Sequence, residues 1–597
     1  TGFGVFDYFT IRGFDSLSSA LVLTDGAPEP ETTLYRLYNV ERVEVLKGPG
    51  AFLYGGNPLA GTVNIVRKQP YYDDSLSLYT NYGSFQSLRG NLDWNAKFGD
   101  TCAFRINAMG ETTDRYRDAK ESNQYGINPA LNWRINDKSF LNVNLEYLTN
   151  DYQPDSGIPI VNGQIADVPR KQNYQSPLDT SEQDVYRIRL DYDTQINDSI
   201  TFRNKFYYND LQWLSKGTLI NGTFDHPLAG TLVIRTLPNL DDHQKFLGNQ
   251  TEALFRVSTG SIQHQLLAGL ELGHYGDDFT LDVSLLPLVS LHNPIDTTTE
   301  PLPPIPGQSL AGDARSIVIA PYLVDQISLN DQWKIFAGGR LDHIDFEDKI
   351  IGTDRNDTQF SPMAGITFSP KSSVSLYFNA GHAFAPPSTL TVGDREPEES
   401  TQYEGGLKTL LLDGHASATF AVYHIDRKNI AIPDQTGVTR QIGDQSSNGF
   451  EFDFAITEMK PVSTFVSYAY NDSELTNFAE LILTPIGPFR FDRSGNTPAF
   501  APHHILNVWL MKEFPRGFGI GGGPRYVSDQ FIAEDNAFAI DGYVTFDASV
   551  FCDWNQWRFS LNFKNITDKK YETRGFGNSS VIPADPFSIY GGIQFKL

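Results

Sequence analysis

Long apolar segments are missing from this sequence of 597 residues, although 40% of the residues are hydrophobic. A membrane-spanning helix needs about 18 or more consecutive apolar residues, and no window approaches that length. Even the apolar stretch at residues 416–425 contains His424 and several small polar side chains. This absence argues against a helical membrane protein.

Cysteine and positive charge are also scarce. Cys102 and Cys552 lie far apart in strand-like sequence, so they define neither a disulfide framework nor a metal site. Lys and Arg number 47 against 72 Asp and Glu, which gives a net charge of −25. A nucleic-acid partner is not expected, because a binding protein needs a basic face for the phosphates.

Methionine is rare, whereas aromatic residues and glycine are abundant. The chain contains 4 Met but 41 Phe, 28 Tyr and 50 Gly. This mixture is typical of alternating strands with aromatic belts at two membrane interfaces.

From about Ser75 onward, apolar and polar residues alternate with a period of two. Examples occur at residues 76–82, 141–147, 186–192, 557–563 and 587–597. Such alternation places one apolar and one polar set on opposite faces of a sheet. A soluble sandwich, a propeller and a membrane barrel all satisfy this pattern.

Length and unequal connections favour the barrel. Residues 75–597 divide into about 22 strand-and-connection units of roughly 24 residues. Asn136-Asp137 and Asn197-Asp198 read as tight turns, whereas residues 154–183, 285–315 and 471–502 read as long irregular loops. Short turns at one end and long loops at the other indicate a barrel that receives something from outside. A disordered insertion is the alternative for residues 285–315.

The first 70 residues follow a different pattern. Short apolar runs at residues 20–23, 43–46 and 62–66 are separated by turn-rich sequence. The pattern indicates a compact mixed domain that is too small to be stable unless something encloses it.

One motif-rich segment carries a family resemblance. Residues 39–70 read NVERVEVLKGPGAFLYGGNPLAGTVNIVRKQP. Together with Ile11-Arg12-Gly13 and Asp25-Gly26, this segment resembles the plug of TonB-dependent receptors, in particular the ferric-siderophore receptors. Weaker matches follow at residues 402–408, 447–451, 502–510 and 562–571.

The resemblance implies a membrane all-β fold, namely a 22-stranded antiparallel transmembrane β-barrel at residues 74–597. The barrel would enclose a small α+β plug domain at residues 1–73. The plug would be incomplete at its N-terminus, because the family's coupling segment and first plug portion precede this sequence. We therefore expect these residues to bind ligand without transporting it. The family typically ends in an aromatic residue, whereas this sequence ends at Leu597 with Phe595 two positions earlier.

The resemblance further implies a monomeric receptor and TonB-energised transporter of a ferric siderophore in the outer membrane of a Gram-negative bacterium. Its partners would be the iron(III)-siderophore complex, TonB with its inner-membrane complex, outer-membrane lipid and lipopolysaccharide. No cofactor is expected. Cobalamin, haem, another metal chelate or a saccharide are alternative ligands, and a passive porin or adhesin is a further alternative.

Four charged residues match the family pattern of plug cations against barrel glutamates. They are Arg12 and Lys47 in the plug, with Glu404 and Glu451 in the barrel. Strand alternation places both glutamates on polar faces, which are directed into the lumen. The resemblance thus implies an electrostatic latch between plug and barrel, and unrelated solvated charges are the alternative.

Ligand contacts are expected at the plug apex, beneath the long loops. The apex candidates are Asp15, Ser18, Glu29, Glu31 and Tyr35, and the loop candidates are His382 and Phe384. Each could instead be an exposed turn side chain. The two glutamates favour a neutral or cationic ferric siderophore.

Enzymatic motifs are absent from the sequence. It contains no GxSxG, phosphate-loop or HExxH pattern. The neighbouring His503 and His504 point to opposite faces of a strand, so they do not form a metal site together. We predict that the protein is not an enzyme.

Overall fold

The computed structural model describes residues 9–15, 20–30, 32–48, 59–306, 308–385, 396–433, 439–457, 459, 461–484 and 487–597. Strands make up most of these residues and are numbered β1 to β37 in chain order. The described residues also include 3-10 turns at Ser84–Gln86, Leu412–Gly414 and Pro515–Gly517. Within the described residues, no helix has the length and apolar character needed to cross a membrane.

The plug consists of a small hairpin and a mixed sheet in its described residues. The strands are β1 (Thr10–Ile11), β2 (Phe14–Asp15), β3 (Ala20–Thr24), β4 (Ala27–Pro28), β5 (Val40–Lys47) and β6 (Gly61–Arg67). The sheet order is β4-β3-β6-β5, and β3 runs parallel to β6. Strand β6 lies between β3 and β5 and is almost entirely buried.

The described strands after the plug close into one antiparallel barrel of 22 strands, which confirms the predicted fold class. In ring order they are β7 (Ser75–Gly83), β8 (Ser87–Phe98), β9 (Cys102–Thr113), β10 (Ser122–Asn136), β11 (Ser139–Tyr152), β14 (Thr180–Asn197), β15 (Ile200–Lys216), β17 (Gly230–Thr259), β18 (Ile262–Leu285), β20 (Leu310–Ser328), β21 (Trp333–Asp348), β22 (Thr353–Lys371), β23 (Val374–Ala385), β24 (Glu398–Leu411), β25 (Ala416–Pro433), β26 (Thr439–Ile456), β27 (Val462–Thr484), β29 (His504–Glu513), β30 (Phe518–Val527), β33 (Tyr543–Trp554), β34 (Trp557–Lys564) and β37 (Ser588–Lys596). Strand β37 pairs with β7 and closes the ring.

The remaining strands belong to the loops at one end of the barrel. They are β12 (Ile158–Val161), β13 (Gln164–Ile165), β16 (Leu219–His226), β19 (Val289–Ser290), β28 (Gly487–Asp492), β31 (Gln530–Phe531), β32 (Ala539–Ile540), β35 (Glu572–Phe576) and β36 (Ser580–Pro583). Four of them form a sheet in the order β13-β12-β36-β35, so loops from distant parts of the chain are joined.

These loops share a hydrophobic core, which we call the loop cap. Its buried members are Ile158, Ile160, Ala166, Tyr174, Ile220, Val233, Val289, Leu291, Ile532, Ile540 and Val581. Val289 and Leu291 belong to the long segment at residues 285–315. The opposite end of the barrel has tight connections, such as the turn between Asn136 and Ser139. We call the two ends the long-loop end and the short-turn end.

The two faces of the barrel wall differ as the alternation predicts. On β20, Ile317, Ile319 and Leu323 are exposed on the outer face, whereas Val318 and Ala320 are buried on the lumen side. Outward aromatic residues are also exposed, among them Trp94, Trp133, Trp554 and Trp557. An exposed apolar outer face with aromatic belts is the arrangement of a wall surrounded by lipid.

Candidate functional site

Arg12 lies in the turn between β1 and β2, directly against the barrel wall. Its φ is 54° and that of Gly13 is 85°, so the backbone takes the left-handed conformation at both positions. A Cβ atom at Gly13 would lie 2.1 Å from the Oγ of Ser473. Glycine therefore lets the turn approach the wall closely enough for Arg12 to reach it.

The four residues predicted as a latch lie together, and we call them the latch cluster. Arg12 Nη2 lies 2.8 Å from Glu404 Oε2 and 2.9 Å from Glu451 Oε2. Lys47 Nζ lies 3.1 Å from Glu451 Oε1. Arg12 Nη1 also donates to Gln402 Oε1 at 3.1 Å. Two plug cations thus face two barrel carboxylates.

The surroundings of Arg12 keep its guanidinium charged. Burial alone would lower the pKa of Arg12, but Glu451 and Glu404 raise it above the ordinary value. The guanidinium carbon lies 4.0 Å from the centre of the Tyr423 ring, at a distance typical of a cation–π contact. On the other side, the hydroxyl of Tyr377 donates to Glu404 at 2.8 Å.

A second ionic cluster joins the plug to the wall at β11 and β14. Its members, which we call the anchor cluster, are Asp25, Glu29 and Arg67 of the plug with Glu146 and Arg187 of the barrel. Arg187 Nη2 donates to Glu29 at 2.6 Å, and Nη1 donates to Glu146 at 3.2 Å. Arg67 donates to Asp25 at 2.7 Å and to Glu146 at 3.2 Å.

Neutral plug groups complete the coordination of Glu146. Its Oε1 atom accepts from the Tyr38 hydroxyl at 2.9 Å and from the Asn39 amide at 2.8 Å. Burial and the neighbouring Glu146 raise the pKa of Tyr38. Burial acts to raise the pKa of Asp25, but Arg67 and Arg189 lower it below its usual value. Glu146 therefore accepts bonds from four plug and barrel groups.

Barrel side chains also bond the plug backbone beside the anchor cluster. Asn209 donates to the carbonyl of Pro28 at 2.6 Å. Gln183 donates to the carbonyl of Thr32 at 3.0 Å and accepts from the Leu34 amide at 3.3 Å. Since backbone bonds do not depend on one side chain of the plug, they hold this segment to β14 and β15 in addition to the ion pairs.

The predicted apex residues occupy different environments. Glu29 is buried, and its carboxylate is engaged by Arg187 of the anchor cluster. Tyr35 is half-buried, with its ring 6.1 Å from that of Phe9. Asp15 ends β2, and only its backbone is described. Ser18 and Glu31 lie outside the described residues.

The two predicted loop residues lie at the end of β23. His382 Nδ1 is 3.0 Å from the Oγ1 of Thr401. Phe384 is only 1% exposed and packs with Val318, Ala320 and Ile344. The pairing of β22 with β23 ends at Met363 and Gly381, so β23 continues past that point paired only with β24. The Phe384 ring therefore lies in a packed cluster. The sequence instead predicts an aromatic ring on a loop, where it could stack on a ligand.

Buried charges also occur in the loop cap. Arg235 forms an ion pair with Asp296 at 2.9 Å. Burial raises the pKa of Asp179 to about 6, although Lys120 and hydrogen bonds from Thr218 oppose the shift. Burial lowers the pKa of Lys120 to about 8 against the opposite effect of nearby acids. The cap thus contains acid and base groups that titrate nearer to neutrality than usual.

The anchor residues Glu146 and Arg187 were not among the predicted site residues. Strand alternation had placed both on polar faces, but no sequence motif links them to the plug. In the part of the chain that the structure describes, no group of three or more His, Cys, Asp or Glu side chains could hold a metal ion. The described polar groups are arranged to hold the plug by ion pairs and hydrogen bonds.

Family models match both structural parts of the chain. The model named "TonB dependent receptor-like, beta-barrel" matches residues 129–566. The model named "TonB-dependent Receptor Plug Domain" matches residues 1–62. The chain belongs to the TonB-dependent receptor family. The family consists of outer-membrane transport receptors that couple to TonB, and not of enzymes.

The curated relatives of this receptor include a metal-pseudopaline receptor and a catecholate siderophore receptor. The metal-pseudopaline receptor CntO of Pseudomonas aeruginosa is 25% identical over 579 residues, which cover 92% of this chain and 79% of CntO. The catecholate siderophore receptor Fiu of Escherichia coli K12 is 24% identical over 634 residues, which cover 95% of this chain and 81% of Fiu.

Solved structures of the family share the fold. The crystal structure of the siderophore receptor PiuA from Acinetobacter baumannii has a TM-score of 0.88 and 22% identity, and the match covers 99% of this chain and 91% of PiuA. The closed form of the ferric-catecholate import receptor Fiu has a TM-score of 0.86, also at 22% identity, with 100% and 91% covered. At 22% identity, the similarity to these two structures is evidence for the fold alone.

Proposed function

We propose that this receptor binds a ferric siderophore at its long-loop end and imports it across the outer membrane of a Gram-negative bacterium. Energy relayed by TonB drives the import. The observation that carries the proposal is the plug held inside the barrel by buried ion pairs on two walls. A lumen filled in this way favours a gated transporter over a passive porin or adhesin.

The latch cluster acts in this proposal as the releasable contact. Arg12 and Lys47 hold the plug hairpin and the end of β5 to the wall until a pull on the plug separates them from Glu404 and Glu451. The plug domain comprises residues 1–73 and the barrel residues 74–597. The receptor works as a monomer, with outer-membrane lipid and lipopolysaccharide around it and no resident cofactor.

Ligand contacts belong to the plug apex, the end of β23 and the loop cap. The half-buried Tyr35 is the described apex candidate with an aromatic ring, and His382 remains a candidate at the end of β23. Glu29 contributes to the anchor cluster, so its charge is compensated by Arg187 and does not repel an anionic chelate. The compensation weakens the preference for a neutral or cationic siderophore.

A chelate of another metal is the second candidate ligand. It is favoured by the relative CntO, which is named a metal-pseudopaline receptor. The transport role is the same in both cases, and only the metal and its chelator differ.

A fluorescence titration tests the ligand class. The detergent-purified protein is titrated with ferric hydroxamate, catecholate and carboxylate siderophores, and with cobalamin, haem and non-iron metal chelates. We expect saturable tryptophan quenching by one ferric siderophore and none by its iron-free form. Saturable quenching by a non-iron chelate alone would replace the ferric siderophore with the second candidate.

The Tyr35→Ala variant tests the apex. It should weaken binding of the identified ligand about fivefold, since a stacked aromatic contact contributes about 1 kcal/mol. Tyr82→Ala is the matched control, because Tyr82 is 60% exposed on the outer wall. Equal affinities of the two variants would remove Tyr35 from the site.

A further inference from the structure

Two tyrosines of the barrel wall contact the ion pair between Arg12 and Glu404. Tyr377 belongs to β23, and its hydroxyl donates to Glu404 Oε1 at 2.8 Å. Tyr423 belongs to β25, and the centre of its ring lies 4.0 Å from the guanidinium carbon of Arg12. One tyrosine therefore contacts the acid of the pair, and the other contacts the base.

The ring of each tyrosine lies across a glycine of the next strand. Tyr377 is directly opposite Gly406 of β24, and Tyr423 is directly opposite Gly449 of β26. A Cβ atom at either glycine would lie within 2.5 Å of the tyrosine hydroxyl oxygen. Any larger residue would displace the ring, so glycine is what lets each tyrosine take this position.

Beyond Gly449, the hydroxyl of Tyr423 reaches β27. It donates to Asn471 Oδ1 at 3.1 Å, and Asn471 is directly opposite Gly449 in the strand register. The backbone of Asn471 is fixed in turn, since its N–H donates to the carbonyl of His503 at 2.9 Å. The Tyr423 ring is thus held at its far end by a neutral bond that spans three neighbouring strands.

The backbone of the Arg12 turn is held by other groups. The hydroxyl of Ser447 donates to the carbonyl of Arg12 at 2.7 Å, and the amide of Gln445 donates to the carbonyl of Gly13 at 3.0 Å. These bonds fix where the Arg12 side chain starts but not where its guanidinium points. Because an arginine side chain has many rotamers, the direction of the guanidinium is set by the groups around its tip.

We propose that Tyr377 and Tyr423 are positioning residues of the latch cluster. Tyr423 presents a ring face that directs the guanidinium of Arg12 toward the two carboxylates, and Tyr377 orients the carboxylate of Glu404 to receive it. A pair that is arranged in advance loses less rotamer freedom when it forms, so the contact is stronger. The inference rests on the releasable latch of the proposed function and names the residues that set its strength.

A third tyrosine of the wall has the same arrangement with barrel partners. Tyr322 is directly opposite Gly269, where a Cβ atom would also lie within 2.5 Å of the hydroxyl oxygen. Its hydroxyl donates to Glu252 at 2.7 Å, and the guanidinium carbon of Arg340 lies 5.9 Å from its ring centre. Tyr322→Phe is therefore the matched control, because it removes the same kind of bond from a cluster of barrel residues.

Protease cleavage of the plug at a fixed urea concentration tests the proposal on the detergent-purified chain. Tyr377→Phe and Tyr423→Phe keep the rings and remove only the hydroxyls, so the packing of the wall is preserved. Each should speed cleavage about fivefold, in the range expected when one buried hydrogen bond is lost. Tyr322→Phe should be cleaved at the rate of the unmodified chain. Heat-modifiable migration establishes that each variant is a folded barrel.

The Arg12→Ala background separates positioning from packing. Without the guanidinium there is nothing for either tyrosine to align, so each Tyr→Phe change should alter the cleavage rate by less than about twofold in this background. A fivefold effect that persists in Arg12→Ala would show that the two rings only pack the wall. That result, or equal cleavage of the Tyr377, Tyr423 and Tyr322 variants, would overturn the proposal.

Two further measurements separate this inference from the proposed function. Titration of the unmodified chain with ferric hydroxamate, catecholate and carboxylate siderophores tests the ligand, and cleavage is measured without any ligand. Absence of binding would therefore refute the ligand assignment while the positioning result stands. Cleavage of the variant with Glu404→Gln and Glu451→Gln tests the latch itself. Faster cleavage of that variant with unchanged cleavage of both tyrosine variants would refute the positioning role alone.

Discussion

The latch cluster and the anchor cluster hold the same plug to different walls, and they are built differently. In the latch, Lys47 is 35% exposed and the contacts come from a hairpin turn and a strand end. In the anchor, Glu29 and Arg187 are 0% and 5% exposed. Arg12 of the latch is equally buried, at 1% exposed.

Barrel side chains bond the plug backbone at both clusters, as Asn209 does beside the anchor and Ser447 does at Arg12. The partly solvated Lys47 is therefore the main difference between them. Charges that are taken fully out of water are costly to separate from their partners. The partly solvated Lys47 leads us to expect that the latch side of the plug is released more easily than the anchor side.

The positions of the clusters add to this difference. The anchor is on β11 and β14, whereas the latch is on β24 and β26, well separated around the ring. Because the two clusters are on different walls, a pull on the plug can break the contacts of one cluster before those of the other. We expect the contacts near Arg12 to open before those near Glu146.

The largest effect is expected from Glu146→Ala. The substitution leaves Arg67 and Arg187 with only part of their countercharge. It also removes the acceptor of the Tyr38 hydroxyl and one of the two acceptors of the Asn39 amide. Removing one partner of a buried ion pair costs about 3–5 kcal/mol. Urea denaturation should show this loss, and hydrogen exchange should show faster opening of β6.

Glu252→Ala is the matched control for Glu146→Ala. Glu252 is a buried barrel glutamate that accepts from Tyr322, which is also a barrel residue. Its loss should leave exchange in β6 unchanged. Similar exchange in both variants would show that the anchor cluster does not hold the plug.

A smaller effect is expected when Glu404 and Glu451 are both changed to Gln. The amides still accept hydrogen bonds from Arg12 but no longer provide negative charge. We expect a loss of about 2 kcal/mol, in the range of a hydrogen bond to a charged group. Protease cleavage of the plug at increasing urea concentrations measures this loss. Unchanged sensitivity would refute the latch.

Lys47→Ala should have a smaller effect still. The Lys47 amine is partly in water, and exposed ion pairs contribute about 0–1 kcal/mol. Lys47→Arg provides a planar fork that can bond two oxygens and should equal or exceed the stability of the unmodified chain. A loss above 2 kcal/mol for Lys47→Ala would show that the two clusters are more alike than their burial indicates.

The smallest effect at ordinary pH concerns Asp25. The pKa of Asp25 is lowered in the folded protein. Between its folded and unfolded pKa values, the unfolded state binds more protons, so the free energy of unfolding rises with pH there. The contribution is complete above the unfolded pKa of about 3.9 and is lost as pH falls through the folded value. The urea midpoint of the unmodified chain should fall faster below pH 4 than that of Asp25→Asn. Parallel midpoints would contradict this role.

Part of this arrangement could be predicted from the sequence. The period-two alternation and the length of the chain gave the strand count of the barrel, because each strand repeats the same two-faced pattern. Arg12, Lys47, Glu404 and Glu451 could be named because the family resemblance supplied the pairing and strand parity supplied the face.

The anchor cluster could not be predicted, since Glu146 and Arg187 are ordinary members of polar strand faces. Their role arises from the placement of Asp25, Glu29 and Arg67 inside the ring, which no local pattern encodes. The environment of Phe384 depends in the same way on where the pairing of β22 with β23 ends.

The sheet of the loop cap has a consequence for biogenesis. Strand β12 pairs with β36, so residues near position 160 bond to residues near position 580. Contacts between such distant parts of a chain form late, because a long loop must close first. The receptor's mouth is therefore assembled only after nearly the whole polypeptide has arrived, and a chain truncated before β35 would lack a finished entrance even where its earlier strands had paired.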